Sequence, residues 1–191
     1  MTEAFLYRLL GHTTRILLAT IALAGCAQSD ETRDPERYVI PVDYVGSFHI
    51  VFGIQSGEPP LTEDGTRIYQ IPDSGVLLTQ GGPNPGRTAS DKIRFFHDGE
   101  NGDLHPITGR WTTSLHDTSD NRADGKTYVF GGGISEIQPV RHCNIYSKSF
   151  YVGTKSQALA QLNYFEIYSD QGIGAIPKRV FLESCAERST D

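Results

Sequence analysis

Three histidines and one aspartate in the middle of the chain could carry acid–base chemistry. A histidine beside a carboxylate can act as a general base near neutral pH, so a hydrolase that pairs Asp117 with one of the histidines is one hypothesis. The alternative is that they are ordinary surface histidines, because no further carboxylate pattern surrounds them. The nucleophile motif Gly-x-Ser-x-Gly is absent, and we assign no catalytic residue. The histidines are His97, His105 and His116.

Carboxylates recur in two polar loops where a hard cation could bind. Residues 98–103, Asp-Gly-Glu-Asn-Gly-Asp, resemble a calcium loop, but Gly102 occupies the fifth position, where an EF-hand has a ligand. We interpret this stretch as a turn. Asp117, Asp120 and Asp124 could approach a hard cation in the second loop, and we interpret them as solvated loop residues. The sequence therefore predicts no metal and no cofactor.

The cysteine at position 26 follows a segment with the features of a secretory signal. Two arginines precede an apolar run over residues 16–24. That run is too short for a membrane span, which needs about 20 apolar residues. Leu23-Ala24-Gly25-Cys26 resembles the lipobox of bacterial lipoproteins, in which the cysteine thiol is lipidated and becomes the first residue of the mature chain. We therefore predict a signal peptide over residues 1–25 and lipid attachment, palmitate included, at Cys26; the alternative is an ordinary cleaved signal with an incidental cysteine.

The residues after this cysteine predict a location and a domain boundary. Ala27 stands where many Gram-negative lipoproteins of the inner membrane carry Asp, so the resemblance implies the outer membrane. Residues 26–36 are polar and predict a flexible tether, and residues 37–187 predict a single β-rich domain. Without the signal, the chain keeps 15 of its 17 basic and 22 of its 23 acidic residues, a net charge of −7. This charge argues against nucleic acid as a partner and leaves membrane contact to the lipid.

Two further cysteines, Cys143 and Cys185, remain in a compartment that is oxidising. An even pair in such a compartment predicts a disulfide. Two alternatives stay open: a pair of free buried thiols, or a reactive cysteine beside His142. The second is disfavoured because neighbouring residues on a strand point to opposite faces.

Short alternating segments separated by turns indicate a mainly β domain. Residues 47–52 place Phe48, Ile50 and Phe52 on one face and His49 on the polar face. Residues 92–97 and 104–107 flank a glycine-containing turn and predict a hairpin. A strand over residues 145–152 completes the pattern.

The C-terminal half adds further signals. The strand over residues 127–130 is expected to end at Gly131-Gly132-Gly133, which lacks the Gly-Lys-Ser/Thr ending of a phosphate loop. Thr154 is well placed as the N-cap of a helix, and residues 176–185 predict a final strand or short helix. We therefore predict an antiparallel β-sandwich with one helix near the C-terminus.

Residues 37–160 resemble DUF6843, a family of uncharacterised bacterial domains. The family's pattern enters a strand as Ile-Pro-x-x-Tyr-x-Gly, continues as Pro-Pro-Leu, and returns as Ile-Pro-x-x-Gly-Val-Leu-x-Thr. The resemblance implies no activity and transfers no catalytic residue. The matching residues are Ile40, Pro41, Tyr44 and Gly46; Pro59, Pro60 and Leu61; Ile71, Pro72, Gly75, Val76, Leu77 and Thr79; and Phe150 to Thr154.

The function that these observations favour is binding. We predict a non-enzymatic envelope lipoprotein whose loops over residues 80–90 and 116–125 contact a protein or glycan partner. A narrower hypothesis is an immunity or inhibitor lipoprotein that neutralises a toxin in the periplasm. The alternative from a different class is the hydrolase that uses a His/Asp site.

Overall fold

The computed structural model describes residues 33–84, 90–99, 101–110, 115, 125–140, 142–161 and 178–188. In these ranges the fold consists mainly of strands, with two short α-helices. None of the helices in these ranges is long and apolar enough to cross a membrane. The strands are β1 (Glu36–Pro41), β2 (Gly46–Phe52), β3 (Leu61–Glu63), β4 (Thr66–Gln70), β5 (Val76–Thr79), β6 (Ile93–Asp98), β7 (Leu104–Arg110), β8 (Tyr128–Val140) and β9 (Cys143–Gly153), and the helices are α1 (Lys155–Ala160) and α2 (Lys178–Arg188).

The strands form one mixed sheet in the order β3-β4-β1-β6-β7-β8-β9-β2-β5. The pairs β1–β4, β1–β6, β2–β5 and β7–β8 are parallel, and the other neighbours are antiparallel. The sheet curls into a half-barrel. The mainly β class is confirmed, but the predicted antiparallel sandwich is wrong. Curling brings the inward faces of the strands together, so the core forms within a single sheet and needs no second one.

Two chain corners stack in parallel and set this strand order. One corner joins β1 to β2, and the other joins β4 to β5. The two corners lie side by side because β4 pairs in parallel with β1 and β5 pairs in parallel with β2. The Tyr44 hydroxyl donates to the Ser47 carbonyl and lies over Gly75. Gly75 has a φ of 73°, and a Cβ there would collide with the Tyr44 hydroxyl. The position therefore requires glycine for conformation and for space.

The concave face of the half-barrel holds the main core. Phe48, Ile50 and Phe52 point into it, as the alternation in β2 predicts. Tyr38 lies at its centre, with its ring centroid 4.9 Å from that of Phe95 and 5.0 Å from that of Phe150. Aromatic packing of this kind buries large apolar areas in few residues. The other fully inward members of the core are Ile40, Tyr69, Ile71, Leu77, Val129 and Val152.

The convex face of β2 and β9 is also covered. Helix α2 packs Phe181 and Cys185 against a second cluster that includes Val51 and Ile145. The sulfur atoms of Cys143 and Cys185 lie 2.02 Å apart, the distance of a disulfide bond. The prediction that the His49 side of β2 faces water is wrong, because every residue of β2 from Phe48 onward is buried.

His49 is 5% exposed, and its Nδ1 lies 2.9 Å from Ser149 Oγ on β9. Burial lowers the pKa of His49, which favours the neutral ring. The side chain is therefore a satisfied structural group between two strands.

The predicted strand end at Gly131-Gly132-Gly133 is wrong, whereas the predicted helix start at Thr154 is confirmed. Gly131-Gly132-Gly133 does not end a strand: β8 continues to Val140, with an irregular register between Gly131 and Ile134. Glycines absorb such a bulge because they accept positive φ. Thr154 is the N-cap of α1, in a capping box with Gln157, as the sequence predicts. The last segment is helical from Lys178.

The N-terminal boundary of the domain lies earlier than the sequence suggests. Glu36, which we assigned to the tether, is the first residue of β1 and is 1% exposed. The Pro35 carbonyl accepts a hydrogen bond from the Arg67 amide at 2.9 Å, and the Asp34 amide donates to Asn84 Oδ1 at 3.2 Å. Residues 33–36 are therefore held by the domain and do not form a tether.

Candidate functional site

The predicted histidines are only partly brought together. His97 on β6 lies directly opposite His105 on β7, so these two do meet across the hairpin. His97 Nδ1 hydrogen-bonds the Pro41 carbonyl at 3.1 Å, which fixes its ring to the end of β1. His105 is exposed. His116 and Asp117 lie outside the described residues.

The two acidic loops do not form a metal site within the described residues. The turn after β6 is closed by hydrogen bonds from the Gly99 amide to the Asp103 carbonyl and from the Gly102 amide to the Gly99 carbonyl. Among the described residues, no three His, Cys, Asp or Glu side chains are grouped to hold a metal ion. Asp117, Asp120 and Asp124 lie outside the described residues, as do Cys26, residues 85–89 of the first predicted binding loop and residues 116–124 of the second.

A cleft between β4 and β5, which we call the edge groove, opens on the described part of the domain. It is a half-open cavity of about 1410 Å³. One end is lined by the turn over residues 72–74, and one wall by residues 56–61. Phe52 and Leu77 of the concave core and the buried Val39 also line the groove. The groove is the place where the curled sheet does not close on itself.

The walls of the groove are strand edges. β3 pairs with β4 only from Thr66 to Ile68, so the later part of β4 has β1 as its sole described partner. On the opposite wall, β5 pairs with β2, and its other side has a single bridge, between Thr79 and Glu58. Both edges therefore carry backbone groups that no described strand covers.

The segment over residues 53–60 separates the two edges. Its Glu58 amide donates to the Leu78 carbonyl at 2.8 Å, and its Glu58 carbonyl accepts from the Gln80 amide at 2.9 Å. Gly57 lies so close to β5 that a Cβ would approach the Leu78 backbone to 2.7 Å. Pro59 and Pro60 follow, and because proline has no N–H, the chain crosses to β3 without continuing the ladder.

Four acidic residues line the groove, against one basic residue. Arg67 Nε donates to Asp34 Oδ2 at 3.0 Å, and Arg67 also donates to the Gly82 carbonyl. The acidic residues are Asp34, Glu58, Asp73 and Asp98, all exposed. Asp34 is therefore balanced by Arg67, and the other three carboxylates leave the groove with a net negative charge.

A buried ion pair lies inside the half-barrel. Lys148 Nζ donates to both carboxylate oxygens of Glu36 at 2.8 Å and to the Tyr38 hydroxyl at 3.0 Å. The Tyr38 hydroxyl in turn donates to Glu36 Oε2 at 2.8 Å. The side chains of Lys148 and Glu36 are 1% and 0% exposed. Each charge is paired and hydrogen-bonded, which a buried ion pair requires.

Burial and pairing act in opposite directions on these groups. Burial lowers the pKa of Lys148 to about 8, and the Glu36 carboxylate opposes that shift. Burial alone would raise the pKa of Glu36, but the Lys148 ammonium and its hydrogen bond bring it below the usual value. Burial raises the pKa of Tyr38 well above its usual value, and the Glu36 charge adds to the effect. At neutral pH the site is thus a salt bridge beside a neutral phenol.

Asn84 and Tyr69 connect this pair to the groove. Asn84 Nδ2 donates to Glu36 Oε1 at 3.1 Å and to the carbonyl of Asp34, a groove residue, at 2.9 Å. Burial raises the pKa of Tyr69 to about 12, and the Glu36 charge contributes. Tyr69 is 6% exposed and lines the groove; its hydroxyl has the Arg67 guanidinium beside it but makes no well-formed hydrogen bond within the described residues.

Sequence reasoning missed both the groove and the ion pair. The polar composition of residues 26–36 predicts a tether, and a tether residue such as Glu36 has no expected partner. A signal was nevertheless available in β9, where Lys148 shares its face with Phe150 and Val152. A charged residue in an inward register predicts a buried partner.

Comparisons with known proteins concern most of the chain. The model of a family of unknown function, DUF6843, matches residues 32–157. A crystal structure described as that of a "Putative Lipoprotein from Bacillus anthracis" is 17% identical, with a TM-score of 0.49 over 83% of this chain and 97% of that one. No curated protein matches the chain.

Proposed function

The chain belongs to the DUF6843 family, whose function is unknown, and we propose that it is a lipid-anchored protein of the bacterial envelope whose domain binds a partner in the edge groove without altering it chemically. The observation that carries the proposal is the groove, a large cleft with uncovered backbone edges and a few charged side chains. Binding sites are usually concave and mostly apolar, with a small number of polar groups in fixed positions.

The anchor is the part of the proposal that rests on the N-terminal sequence. Leu23-Ala24-Gly25-Cys26 supports lipidation at Cys26, palmitate included, and Ala27 supports the outer membrane. Two or three acyl chains hold a protein stably at a membrane, whereas one does not. We expect metabolic labelling with palmitate to mark the wild type and not Cys26→Ser, and the variant to leave the membrane fraction. Equal labelling of both proteins would remove the anchor from the proposal.

The positions of His97 and His105 give little support to hydrolysis, which favours the binding role. His97 is held by the Pro41 carbonyl, and His105 is exposed on the neighbouring strand. The groove residues through which the chain resembles its family are instead apolar, with the exception of Thr79. These include Pro41, Pro59, Pro60, Leu61, Ile71, Pro72, Val76, Leu77 and Thr79.

An immunity or inhibitor protein is a narrower form of the same proposal. It would hold a segment of a toxin in the edge groove, and a toxin gene beside this gene would favour it.

Site-specific photo-cross-linking in living cells tests the binding role. We would place a photoreactive amino acid at Gln70, an exposed residue that lines the groove, and separately at Gln138, an exposed residue of β8 outside it. The proposal predicts a discrete adduct from position 70 and none from position 138.

A groove-filling variant gives the matched control. Gly82 lines the groove and Gly133 does not, and at both positions a Cβ would meet nothing within 4 Å. Gly82→Trp is expected to abolish the adduct at position 70, whereas Gly133→Trp is expected to preserve it. An adduct that survives Gly82→Trp would show that the partner does not occupy the groove.

A further inference from the structure

The hydrogen bonds that β4 makes to β1, and β5 to β2, show which backbone groups of β4 and β5 face the edge groove. In β4, the amides of Arg67 and Ile71 donate to Pro35 and Val39 on the β1 side. Backbone direction alternates along a strand, so the N–H and C=O of Gln70 point away from β1 and toward the groove. β3 ends its pairing at Ile68 and leaves this position uncovered within the described chain.

The opposite edge offers complementary groups. In β5, the Gly75 carbonyl accepts from the His49 amide on the β2 side, so the backbone of Val76 points away from β2. The Val76 amide donates to Ser74 Oγ at 3.4 Å, so its carbonyl is the group that an occupant can use. The Leu78 carbonyl accepts from the Glu58 amide, which shows that Leu78 also faces away from β2. The two walls therefore present donors and acceptors in strand geometry, which an extended backbone can satisfy.

The groove selects for charge as well as for shape. Glu58, Asp73 and Asp98 line the groove, are exposed and form no ion pair with another described residue. Arg67, the one cation among the described groove residues, is engaged by Asp34. Positive side chains on an occupant would complement these carboxylates.

A sugar finds less to bind in the groove. Carbohydrate rings are commonly held against an exposed aromatic face. The aromatic side chains that line the described groove are Phe52 and Tyr69, which are 1% and 6% exposed and are packed into the core. Their faces are not available for stacking.

We infer that the occupant of the edge groove is an extended polypeptide segment that carries Lys or Arg and pairs its backbone with the N–H and C=O of Gln70, the C=O of Val76 and the N–H of Leu78. This inference rests on the proposed function, because it names the partner class of the same groove. Main-chain hydrogen bonds would supply affinity, and the three carboxylates would supply selectivity.

Fluorescence anisotropy with labelled peptides of about six residues, a typical strand length, tests the inference. We would compare peptides that alternate Thr with Lys, with Gln or with Glu. The Lys peptide is expected to bind most tightly and the Glu peptide least. Methylation of alternate backbone nitrogens in the Lys peptide should weaken binding about tenfold, as expected for the loss of one or two hydrogen bonds. Equal affinity for the three peptides, or indifference to methylation, would overturn the inference.

Matched variants locate the effect. Glu58→Gln and Asp73→Asn should each weaken the Lys peptide about two- to fivefold, the size expected for one exposed charge pair. Asp43→Asn removes an exposed carboxylate outside the groove and should change nothing. Gly82→Trp should abolish peptide binding, and Gly133→Trp should not.

A parallel titration with soluble peptidoglycan fragments separates the inference from the proposed function. Fragments that bind the wild type but not Gly82→Trp, in the absence of peptide binding, would retain the groove as a binding site and overturn the inference. Binding of the Lys peptide alone, and its loss in Gly82→Trp, would support both.

Discussion

Lys148 and Glu36 place opposite charges inside the half-barrel, where either charge alone would be costly. Among the described residues, five hydrogen bonds, including those from Tyr38 and Asn84, satisfy the ammonium and the carboxylate together. The pair joins the start of β1 to the middle of β9, elements far apart in sequence. It therefore fixes residues that the sequence alone assigns to a tether.

Removing one member of this pair should unfold the domain more easily. Lys148→Met leaves the buried Glu36 carboxylate with Arg33, whose Nη2 lies 3.5 Å from Glu36 Oε1, as its remaining described counter-charge. Because the closer, doubly hydrogen-bonded Lys148 is lost, we expect the free energy of unfolding to fall by about 3 kcal/mol, the lower end for a broken buried pair. Urea denaturation followed by tryptophan fluorescence or circular dichroism measures it. The double variant Glu36→Gln/Lys148→Met removes both members of the pair and should recover much of the loss. A single variant as stable as the wild type would contradict the assigned pair.

The lowered pKa of Lys148 also predicts a pH dependence. In the unfolded chain the Lys148 amine has its ordinary pKa of 10.5 and keeps its proton up to that pH. In the folded protein its pKa is about 8, so the proton is released at lower pH. Between these values the unfolded state binds more protons, so stability from this group rises with pH. From pH 8 to pH 9.5 we expect a gain of about 1 to 2 kcal/mol in the wild type relative to Lys148→Met. Parallel pH slopes for the two proteins would contradict the shift.

At the scale of elements, local patterns predict strands but not their partners. The alternation of Phe48, Ile50 and Phe52 identifies β2 and its inward face, and Thr154 marks the start of α1. Alternation is the same in a parallel and an antiparallel strand when one face is buried, which is why a sandwich was predicted in place of a curled mixed sheet. The recurrence of Ile-Pro at residues 40–41 and 71–72 was the available sign of two stacked corners.

The C-terminal helix is held by a covalent link as well as by packing. Cys185 lies beside Phe181 over the cluster on the convex face, and its partner Cys143 is 42 residues away in sequence. Closing a loop of this length restricts the unfolded chain, so we expect Cys185→Ser to lower the free energy of unfolding by about 2 to 4 kcal/mol.

A reductant provides the control for this prediction. It should destabilise the wild type by a similar amount and leave the double variant Cys143→Ser/Cys185→Ser unchanged. A wild type whose unfolding is insensitive to reductant would show that the cysteines contribute as packed thiols only.

At the scale of the whole molecule, the groove exists because the curled sheet stops short of closing. Glu58 continues the edge of β5 for one residue, Pro59 and Pro60 then divert the chain, and β3 resumes on β4. No sequence window contains this arrangement, because its two walls pair with β1 and β2, whose positions only the complete fold determines. The resemblance to DUF6843, confirmed by the family match, identified many of the residues around the groove but not their arrangement.

The central claim is that this domain binds through the edge groove, and amide NMR mapping tests it most directly. Isotope-labelled wild-type domain would be titrated in parallel with the Thr-Lys peptide and with soluble peptidoglycan fragments. The account predicts that at least one probe shifts the amides of Gln70, Val76 and Leu78 and slows their exchange with solvent, while amides of α2 remain unchanged. Shifts confined to surfaces away from the groove, or no shift with either probe, would contradict it.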